Sequence, residues 1–338
     1  MNLTASDIIL VTGASGFVGS HVVERGLTTS AKVRAFVRPA SDTSLLEQWD
    51  IPIVRGELHD PLALKNAFQN VTVVVHCAAK VGDWGPIDEY RKVNVSGVER
   101  MIAAARACST VKRFIHISSL GVYSARDHYG TDESVAPAAE GFDGYTRTKI
   151  EGEQVIGSAF AADGFPAVIL RPGFIYGPRD RTVLPRLLAK LHNGRFRFLG
   201  DGEKVLNNTY VGNLMQAIFQ AIAEDGCLGK IYNVTDARLV TRKEFIAAIA
   251  QGAGYPIPVR SVPIPVAKGL AWGMETFARL TGKKEGPLLS QAKIKFLALN
   301  LDFSIERARR ELKYNPPFDF RDAIVPTMNW FRDSGLVP

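Results

Sequence analysis

The sequence predicts an α/β fold, a doubly wound parallel sheet with a smaller, mostly helical C-terminal lobe. Three observations predict it. Short apolar runs alternate with helical stretches through the first half of the 338-residue chain. The first run is followed by glycines at three-residue spacing. Farther along, a tyrosine and a lysine stand four residues apart, as they would on one face of a helix.

The apolar runs have the length and β-branched content of buried strands. The predicted strands cover residues 8–12, 32–37, 51–54, 71–76, 111–117 and 167–170. Helices are predicted near residues 88–107 and over 145–162, where apolar residues recur at helical spacing. Strands and helices that alternate in this way form parallel sheets.

A glycine-rich turn joins the first predicted strand to a helical stretch at residues 21–25. Of its three glycines, the first makes the tight turn, the second lets the backbone approach a pyrophosphate, and the third lets helix pack on strand. A helix N-terminus also attracts phosphates. We therefore predict a Rossmann-type dinucleotide site. Its loop carries Gly13, Ser15, Gly16, Phe17, Val18 and Gly19.

The pattern changes after Pro178. A helix is predicted over 184–191, residues 210–223 and 231–234 return to the sheet, and the proline-spaced segment 256–265 marks a linker before further helices. We expect residues 1–180 and 205–235 to form the dinucleotide-binding domain. Residues 181–204 and 236–338 should form the substrate lobe, placed over the strand ends.

Tyr145 and Lys149 are the candidate catalytic pair. A neighbouring cation favours the phenolate of a tyrosine and makes it a usable acid or base. Of the nine tyrosines, Tyr145 alone has a lysine at the fourth position after it. Ser118 and Ser119 end the fifth predicted strand upstream, where a hydroxyl can hold a substrate oxygen. With a dinucleotide to carry the hydride, this set predicts a redox enzyme.

Composition excludes several other classes. The net charge of +7 comes from dispersed basic residues, so a nucleic-acid partner is not expected. The three cysteines are scattered, which indicates no disulfide framework, no metal site and a reducing compartment, the cytoplasm. We expect neither a signal peptide nor a spanning helix, since the N-terminus is polar and no run reaches about 18 apolar residues.

Five ordered motifs resemble the extended short-chain dehydrogenase/reductase superfamily over nearly the whole chain. They are residues 12–19 (TGASGFVG), 118–119 (SS), 145–149 (YTRTK), 170–173 (LRPG) and 210–213 (YVGN). Residues 78–85 and 210–213 look most like the branch of 3β-hydroxysteroid dehydrogenases, sterol-4-carboxylate decarboxylating dehydrogenases and 2-alkyl-3-oxoalkanoate reductases. Dihydroflavonol reductase-like proteins are close to that branch.

This resemblance implies residue roles. Tyr145 would be the acid/base, Lys149 would lower its pKa and hold the ribose, and Ser119 rather than Ser118 would bind the substrate oxygen, because Ser119 stands three residues before a Val-Tyr pair. The implied cofactor contacts are Glu57 and Leu58 at the adenine, Ala78, Ala79 and Lys80 under the ribose, and Pro172 and Gly173 beside the nicotinamide.

The end of the second strand bears on the choice of dinucleotide. Members of the superfamily that prefer NAD usually carry an acidic residue where this chain has Val37, and Arg38 follows. A valine accepts no hydrogen bond from the ribose, whereas an arginine pairs with a 2′-phosphate. NADP(H) is therefore favoured over NAD(H). Two alternatives stay open: Arg38 is only a solvated strand end, or Asp42 reaches the ribose.

Three functions are compatible with the motifs. The favoured one is hydride transfer to or from a secondary alcohol or ketone of a hydrophobic, sterol-like or 3-oxoacyl-like substrate. A nucleotide-sugar epimerase or dehydratase is the second, and Leu206 counts against it because sugar enzymes usually place an arginine there. A non-catalytic NADP-binding regulator is the third, and it predicts a broken triad.

The apolar segment 262–280 is either a helix packed on the core or a wall of the substrate pocket. Its charges are few, so a membrane-surface contact is disfavoured. We expect an apolar small-molecule substrate and a homodimer.

Overall fold

Strands and helices alternate along the part of the chain that forms a central sheet. The computed structural model describes residues 1–141, 143–281, 286–287 and 289–337, apart from the side chains of residues 279, 295 and 296. The strands are β1 (Ile8–Thr12), β2 (Lys32–Val37), β3 (Ile53–Arg55), β4 (Val73–His76), β5 (Arg113–Ile117), β6 (His128–Thr131), β7 (Ala167–Pro172), β8 (Phe174–Tyr176), β9 (Phe198–Leu199), β10 (Val205–Leu206), β11 (Asn208–Tyr210), β12 (Ile231–Val234), β13 (Val240–Thr241), β14 (Ser261–Val262) and β15 (Leu301–Phe303).

The helices connect these strands and dominate the C-terminal part of the chain. They are α1 (Phe17–Leu27), α2 (Ser44–Gln48), α3 (Pro61–Ala67), α4 (Ile87–Asn94), α5 (Ser96–Cys108), α6 (Gly144–Asp163), α7 (Val183–His192), α8 (Val211–Ala223), α9 (Arg242–Gly252), α10 (Ile264–Leu280), α11 (Gln291–Ala298), α12 (Glu306–Leu312) and α13 (Phe320–Asp333). Among the described residues, no helix is both long and apolar enough to span a bilayer.

Seven of the strands form one parallel sheet in the order β12-β7-β5-β4-β1-β2-β3. Chain order runs in opposite directions on the two sides of β1, so the sheet reverses between β1 and β4, where Thr12 pairs with His76. Such a switch point at the carboxyl ends of the strands opens a crevice for ligands. The predicted Rossmann-type fold class is confirmed.

Helices cover both faces of this sheet. In β1, Ile9 and Val11 pack into one apolar cluster and Leu10 packs into the other, and all three are fully buried. Burial on both faces explains why the strands read as continuous apolar runs rather than as alternating patterns.

Two predicted elements differ from the structure. The helix expected near residues 88–107 is two helices that meet at Val95, which ends α4 and caps α5. Asn94, the last residue of α4, makes the tertiary hydrogen bonds described below. The expected linker over 256–265 contains β14 and the start of α10, with Pro265 as its second residue, where a missing N–H costs no helical bond.

Short strand pairs lie outside the large sheet: β9 with β14, β10 with β13, β8 with β11, and β6 with β15. Through β12, the chain returns to the edge of the large sheet beside β7. The division into a dinucleotide-binding domain and a substrate lobe at residue 180 remains a prediction.

Candidate active site

The start of α6 is fixed by a capping box. The Asp143 carboxylate accepts a hydrogen bond from the Thr146 N–H at 2.7 Å, and the Thr146 hydroxyl accepts one from the Asp143 N–H at 3.1 Å. Such reciprocal bonds satisfy N–H groups that a helix start leaves unpaired. They hold Tyr145 in the first turn, with Lys149 one turn later on the same face.

Lys149 ties α6 to the end of β5. Its side chain is buried, and its Nζ donates a hydrogen bond to the carbonyl oxygen of Ile117 at 2.6 Å. The same Nζ lies 5.8 Å from the centre of the Tyr145 ring. The lysine therefore stands at the carboxyl edge of the sheet, beside the tyrosine.

Ser119 completes a constellation with these two residues. It follows β5, its Oγ accepts a hydrogen bond from the Gly121 N–H at 3.0 Å, and its side chain hydrogen-bonds to Tyr145. The neighbouring Ser118 is directed elsewhere, because its hydroxyl donates to the buried carboxylate of Glu153 at 2.5 Å. The geometry thus separates the two serines and leaves Ser119 beside the tyrosine.

Desolvation sets the protonation states of the pair. It raises the pKa of Tyr145 to about 12, and the hydrogen bond with Ser119 acts in the opposite direction. It lowers the pKa of Lys149 to about 8. That Lys149 lowers the pKa of Tyr145 stays a prediction; here its ammonium is bonded to Ile117 O, and desolvation of the phenol is the largest effect on the pKa of Tyr145. Near neutral pH the site holds a phenol and an ammonium.

The glycine loop has the shape that a dinucleotide requires. Gly13 has a φ of 65°, and its N–H donates to Phe36 O at 3.1 Å. A Cβ atom at Gly19 would lie 2.2 Å from Gly13 O, so only glycine fits this close approach of helix and loop. Since α1 begins directly after Gly16, its N-terminus lies within the loop, as in phosphate-binding turns. These residues fit a dinucleotide.

The end of β2 presents charged groups of both signs. Val37 is buried and Arg38, the next residue, is exposed. Asp42 borders a small cleft together with Ser15, Gly16 and Arg181. The Asp42 carboxylate accepts hydrogen bonds from the N–H and hydroxyl of Ser44, which lower its pKa, and it lies 3.8 Å from Arg181 Nη1. Sequence reasoning missed Arg181, because it comes from the loop after β8.

Ala78, Ala79 and Lys80 form the turn after β4. The Ala78 N–H donates to Thr12 Oγ1 at 3.2 Å, which fixes the turn to β1. Asn94 holds the other end: it accepts from the Lys80 N–H at 2.8 Å and donates to Lys80 O and to Thr148 Oγ1, both at 3.0 Å.

Asn94 therefore joins this turn to helix α6. Sequence reasoning missed this role of Asn94, because the sequence shows only an asparagine on an otherwise ordinary helix.

The remaining predicted contacts also lie beside the carboxyl edge. Glu57 and Leu58 follow β3. Leu58 packs closely on Gly97: a Cβ atom added to Gly97 would lie 2.8 Å from the Leu58 side chain. Pro172 ends β7, and the Gly173 N–H donates to Thr209 Oγ1 at 3.0 Å. Within the described part of the chain, no group of three or more His, Cys, Asp or Glu side chains is placed to hold a metal ion.

Leu206, which counts against a sugar nucleotide, and two tryptophans have different surroundings. Leu206 is buried in β10, paired with Val240. Trp84 is half-buried, and its carbonyl oxygen accepts a hydrogen bond from Tyr90 Oη at 2.7 Å. Trp272, on α10, is 68% exposed.

Comparison with known proteins finds a matching family and similar chains. The model of the NAD dependent epimerase/dehydratase family matches residues 9–235. The chain is 31% identical to a 2-alkyl-3-oxoalkanoate reductase of Stenotrophomonas maltophilia, over 94% of this chain and 97% of the relative. It is 29% identical to a 3 beta-hydroxysteroid dehydrogenase/Delta 5-->4-isomerase of Mycobacterium tuberculosis, over 96% and 90%.

Two solved structures show the same fold. The crystal structure of gox2253 superposes with a TM-score of 0.81 at 27% identity, covering 98% of this chain and all of the other. A UDP-glucuronic acid 4-epimerase from Bacillus cereus, in complex with NAD, gives a TM-score of 0.76 at 21% identity, covering 97% and 99%.

Proposed function

Because the chain belongs to the NAD dependent epimerase/dehydratase family, we propose that this oxidoreductase transfers a hydride between NADP(H) and a secondary alcohol or ketone of a hydrophobic molecule. The observation that carries the proposal is the meeting of Ser119, Tyr145 and Lys149 at the carboxyl edge of the sheet, beside the glycine loop. A non-catalytic regulator has no need of an intact set of this kind.

Each residue has a defined task in this proposal. The bound dinucleotide supplies or accepts the hydride at C4 of its nicotinamide. The Ser119 hydroxyl donates a hydrogen bond to the substrate oxygen, and Tyr145 transfers a proton to or from that oxygen. The Lys149 ammonium stabilises the phenolate that forms when Tyr145 gives up its proton. Asn94 keeps the turn at Ala78–Lys80 against α6.

At neutral pH the phenol of Tyr145 keeps its proton, because burial raises its pKa, and the protonated phenol is the form that ketone reduction uses, whereas alcohol oxidation needs a phenolate. This direction fits the names of the reductases among the relatives.

The proposed substrate is an apolar ketone or alcohol, sterol-like or 3-oxoacyl-like. Relatives over at least 90% of this chain are named for 3-oxoalkanoate reduction and for 3 beta-hydroxysteroid dehydrogenation. The buried Leu206 offers no charge to a nucleotide diphosphate. The similarity to the UDP-glucuronic acid 4-epimerase, at 21% identity, supports the fold alone.

A combined screen tests the substrate class. Thermal stability and NADPH consumption are measured with 3-oxoacyl compounds, 3-ketosteroids and UDP-sugars. We expect an apolar ketone to stabilise the protein and to be reduced. Stabilisation and turnover by UDP-sugars alone would replace this proposal by the epimerase class.

Arg38 is the proposed selector of NADP(H). We expect Arg38→Ala to weaken NADPH binding by about 10- to 100-fold, since a charge-assisted pair contributes about 1.5–3 kcal/mol. NADH binding should change little, because NADH lacks the 2′-phosphate. Fluorescence titration of both dinucleotides measures the effect. The matched control is Arg321→Ala, an exposed arginine on α13. Tighter NADH than NADPH binding by the wild type would contradict the proposal and point to Asp42.

The pH dependence follows from Lys149. Burial lowers its pKa to about 8, so its ammonium is present below that pH and lost above it. If the ammonium stabilises the phenolate, the rate of ketone reduction should fall about tenfold per pH unit above pH 8. The Lys149→Met variant should reduce the ketone slowly, and its rate should show no such decrease above pH 8. A wild-type rate that stays constant up to pH 10 would exclude this role.

A further inference from the structure

The loop between β8 and α7 brings two arginines to the glycine loop. Arg179 and Arg181 line the same small cleft as Ser15 and Gly16, and Asp42, from the segment that follows β2, lines it as well. In a Rossmann-type site, the glycine turn holds the phosphates and the end of the second strand lies beside the adenosine ribose. The cleft therefore lies where the 2′-position of that ribose is expected.

The backbone around Arg181 is tightly held. Arg179 has a φ of 68°, in the left-handed region that residues with a side chain rarely adopt, and such strained residues cluster at binding sites. Asp180 is buried, and its carboxylate accepts hydrogen bonds from the Thr182 N–H at 2.8 Å and the Leu184 N–H at 2.9 Å. Arg181 therefore stands between two fixed neighbours.

The two arginines have different partners. The Arg179 guanidinium donates to the Glu24 carboxylate on α1 at 2.5 Å, and it lies 5.7 Å from the centre of the Trp49 ring. Arg181 Nη1 lies 3.8 Å from Asp42 Oδ2, which is longer than the about 2.7–2.9 Å of a charge-assisted hydrogen bond. Both side chains of this looser pair are more than half exposed. Arg181 can therefore turn its N–H donors to an anion in the cleft.

Asp42 makes a cation necessary here if the ligand carries a 2′-phosphate. Its hydrogen bonds from Ser44 lower the pKa of this carboxyl group, so it is negatively charged at neutral pH. Arg55, at the end of β3, holds the preceding segment, because its Nη1 donates to Pro39 O at 3.1 Å and to Ser41 O at 3.3 Å. A ribose hydroxyl could donate a hydrogen bond to such a carboxylate, whereas a phosphate beside it would be repelled.

We propose that Arg181 is a second selector of NADP(H), which binds the 2′-phosphate together with Arg38 and offsets the negative charge of Asp42. A guanidinium forms two parallel hydrogen bonds with a phosphate, which suits this task. Arg38 directly follows β2 and Arg181 comes from the loop after β8, so the 2′-phosphate would join two distant parts of the chain. This inference rests on the proposed function, in which the cofactor is NADP(H).

Binding measurements test the role of Arg181 without turnover. NADPH and NADH are titrated by fluorescence, and adenosine 2′,5′-diphosphate and 5′-AMP by calorimetry. We expect Arg181→Ala to weaken the binding of NADPH and of adenosine 2′,5′-diphosphate by about tenfold, the effect of one lost charge-assisted contact. The binding of NADH and 5′-AMP should stay within about twofold of the wild type, because neither carries a 2′-phosphate.

Two further variants separate charge from geometry. Arg181→Lys should recover only part of the NADPH affinity, since an ammonium keeps the charge but not the paired donors. Asp42→Asn should strengthen NADPH binding several-fold, because it removes the repulsion of the phosphate. The matched control is Arg195→Ala, an exposed arginine beyond α7, which should bind all four ligands as the wild type does.

The outcomes distinguish this inference from the proposed function. Unchanged NADPH binding by Arg181→Ala, in a protein that prefers NADPH, would overturn the role of Arg181 and leave the proposed function in place. An equal weakening of NADPH and NADH would overturn it in favour of a contact with the pyrophosphate. Tighter binding of NADH than of NADPH by the wild type would overturn both the role of Arg181 and the choice of NADP(H).

Discussion

Replacement of Tyr145 by phenylalanine is expected to lower the turnover of ketone reduction by about 10²–10⁴-fold, the contribution of a general acid. The change removes only the phenol oxygen. The ring keeps its place in the first turn of α6, where the Asp143–Thr146 capping box sets the helix start. NADPH affinity should therefore stay close to that of the wild type. Steady-state kinetics together with fluorescence titration measures both quantities.

Tyr129→Phe is the matched control. This tyrosine is 73% exposed on β6, and the same chemical change there should leave turnover unaltered. Wild-type turnover by Tyr145→Phe would show that the proton comes from another group. A parallel loss of NADPH affinity in Tyr145→Phe would instead indicate damage to the cofactor site.

The second large effect concerns stability. Arg171 and Glu153 form a buried ion pair behind the catalytic residues: Nη2 lies 2.5 Å from Oε2, Nε donates to Oε1 at 2.9 Å, and the two side chains are only 2% and 5% exposed. Ser118 donates to the same carboxylate, and Tyr123 Oη accepts from Arg171 Nη1 at 2.9 Å. Arg171→Met leaves the carboxylate with too few partners in the interior.

We expect Arg171→Met to reduce the free energy of unfolding by about 3–5 kcal/mol, as the loss of one partner of a buried pair does. Urea denaturation followed by circular dichroism measures it. The control is Arg309→Met, which breaks the exposed Arg309–Glu306 pair on α12 and should cost less than about 1 kcal/mol. Equal losses of unfolding free energy in the two variants would show that the buried pair stabilises the protein no more than the exposed pair does.

What the sequence predicted well depends on local rules. The spacing of Tyr145 and Lys149 specifies one helix face wherever the helix forms, and Gly13 and Gly19 are required by backbone geometry within a single turn. Parallel order follows from the alternation of strands and helices. Each of these features is determined by residues that are close together in the sequence.

The features that sequence reasoning missed depend on tertiary contacts. Asn94 acts through Lys80 and Thr148, which are far away in the chain, and no local pattern distinguishes it from a surface asparagine. Desolvation, the largest effect on the pKa of Tyr145, depends on the folded surroundings of the phenol and is not visible in the spacing of two residues.

Helix α10 illustrates a further limit. Periodicity shows which residues share a face, but it does not show which face is buried. On α10, the small Ala267 and Ala271 pack against α11, whereas the larger Leu270 is exposed.

The central claim is net hydride transfer to a ketone, with Tyr145 as the proton donor. The most direct measurement is a reaction with an apolar ketone found by the screen and NADPH deuterated at C4 of the nicotinamide on the transferred face, followed by mass spectrometry of the product. The proposed function predicts one deuterium on the new carbinol carbon, one NADPH oxidised per product molecule, and a rate that collapses in Tyr145→Phe. A product formed without net consumption of the dinucleotide, or without deuterium from it, would contradict the claim and indicate epimerase or dehydratase chemistry.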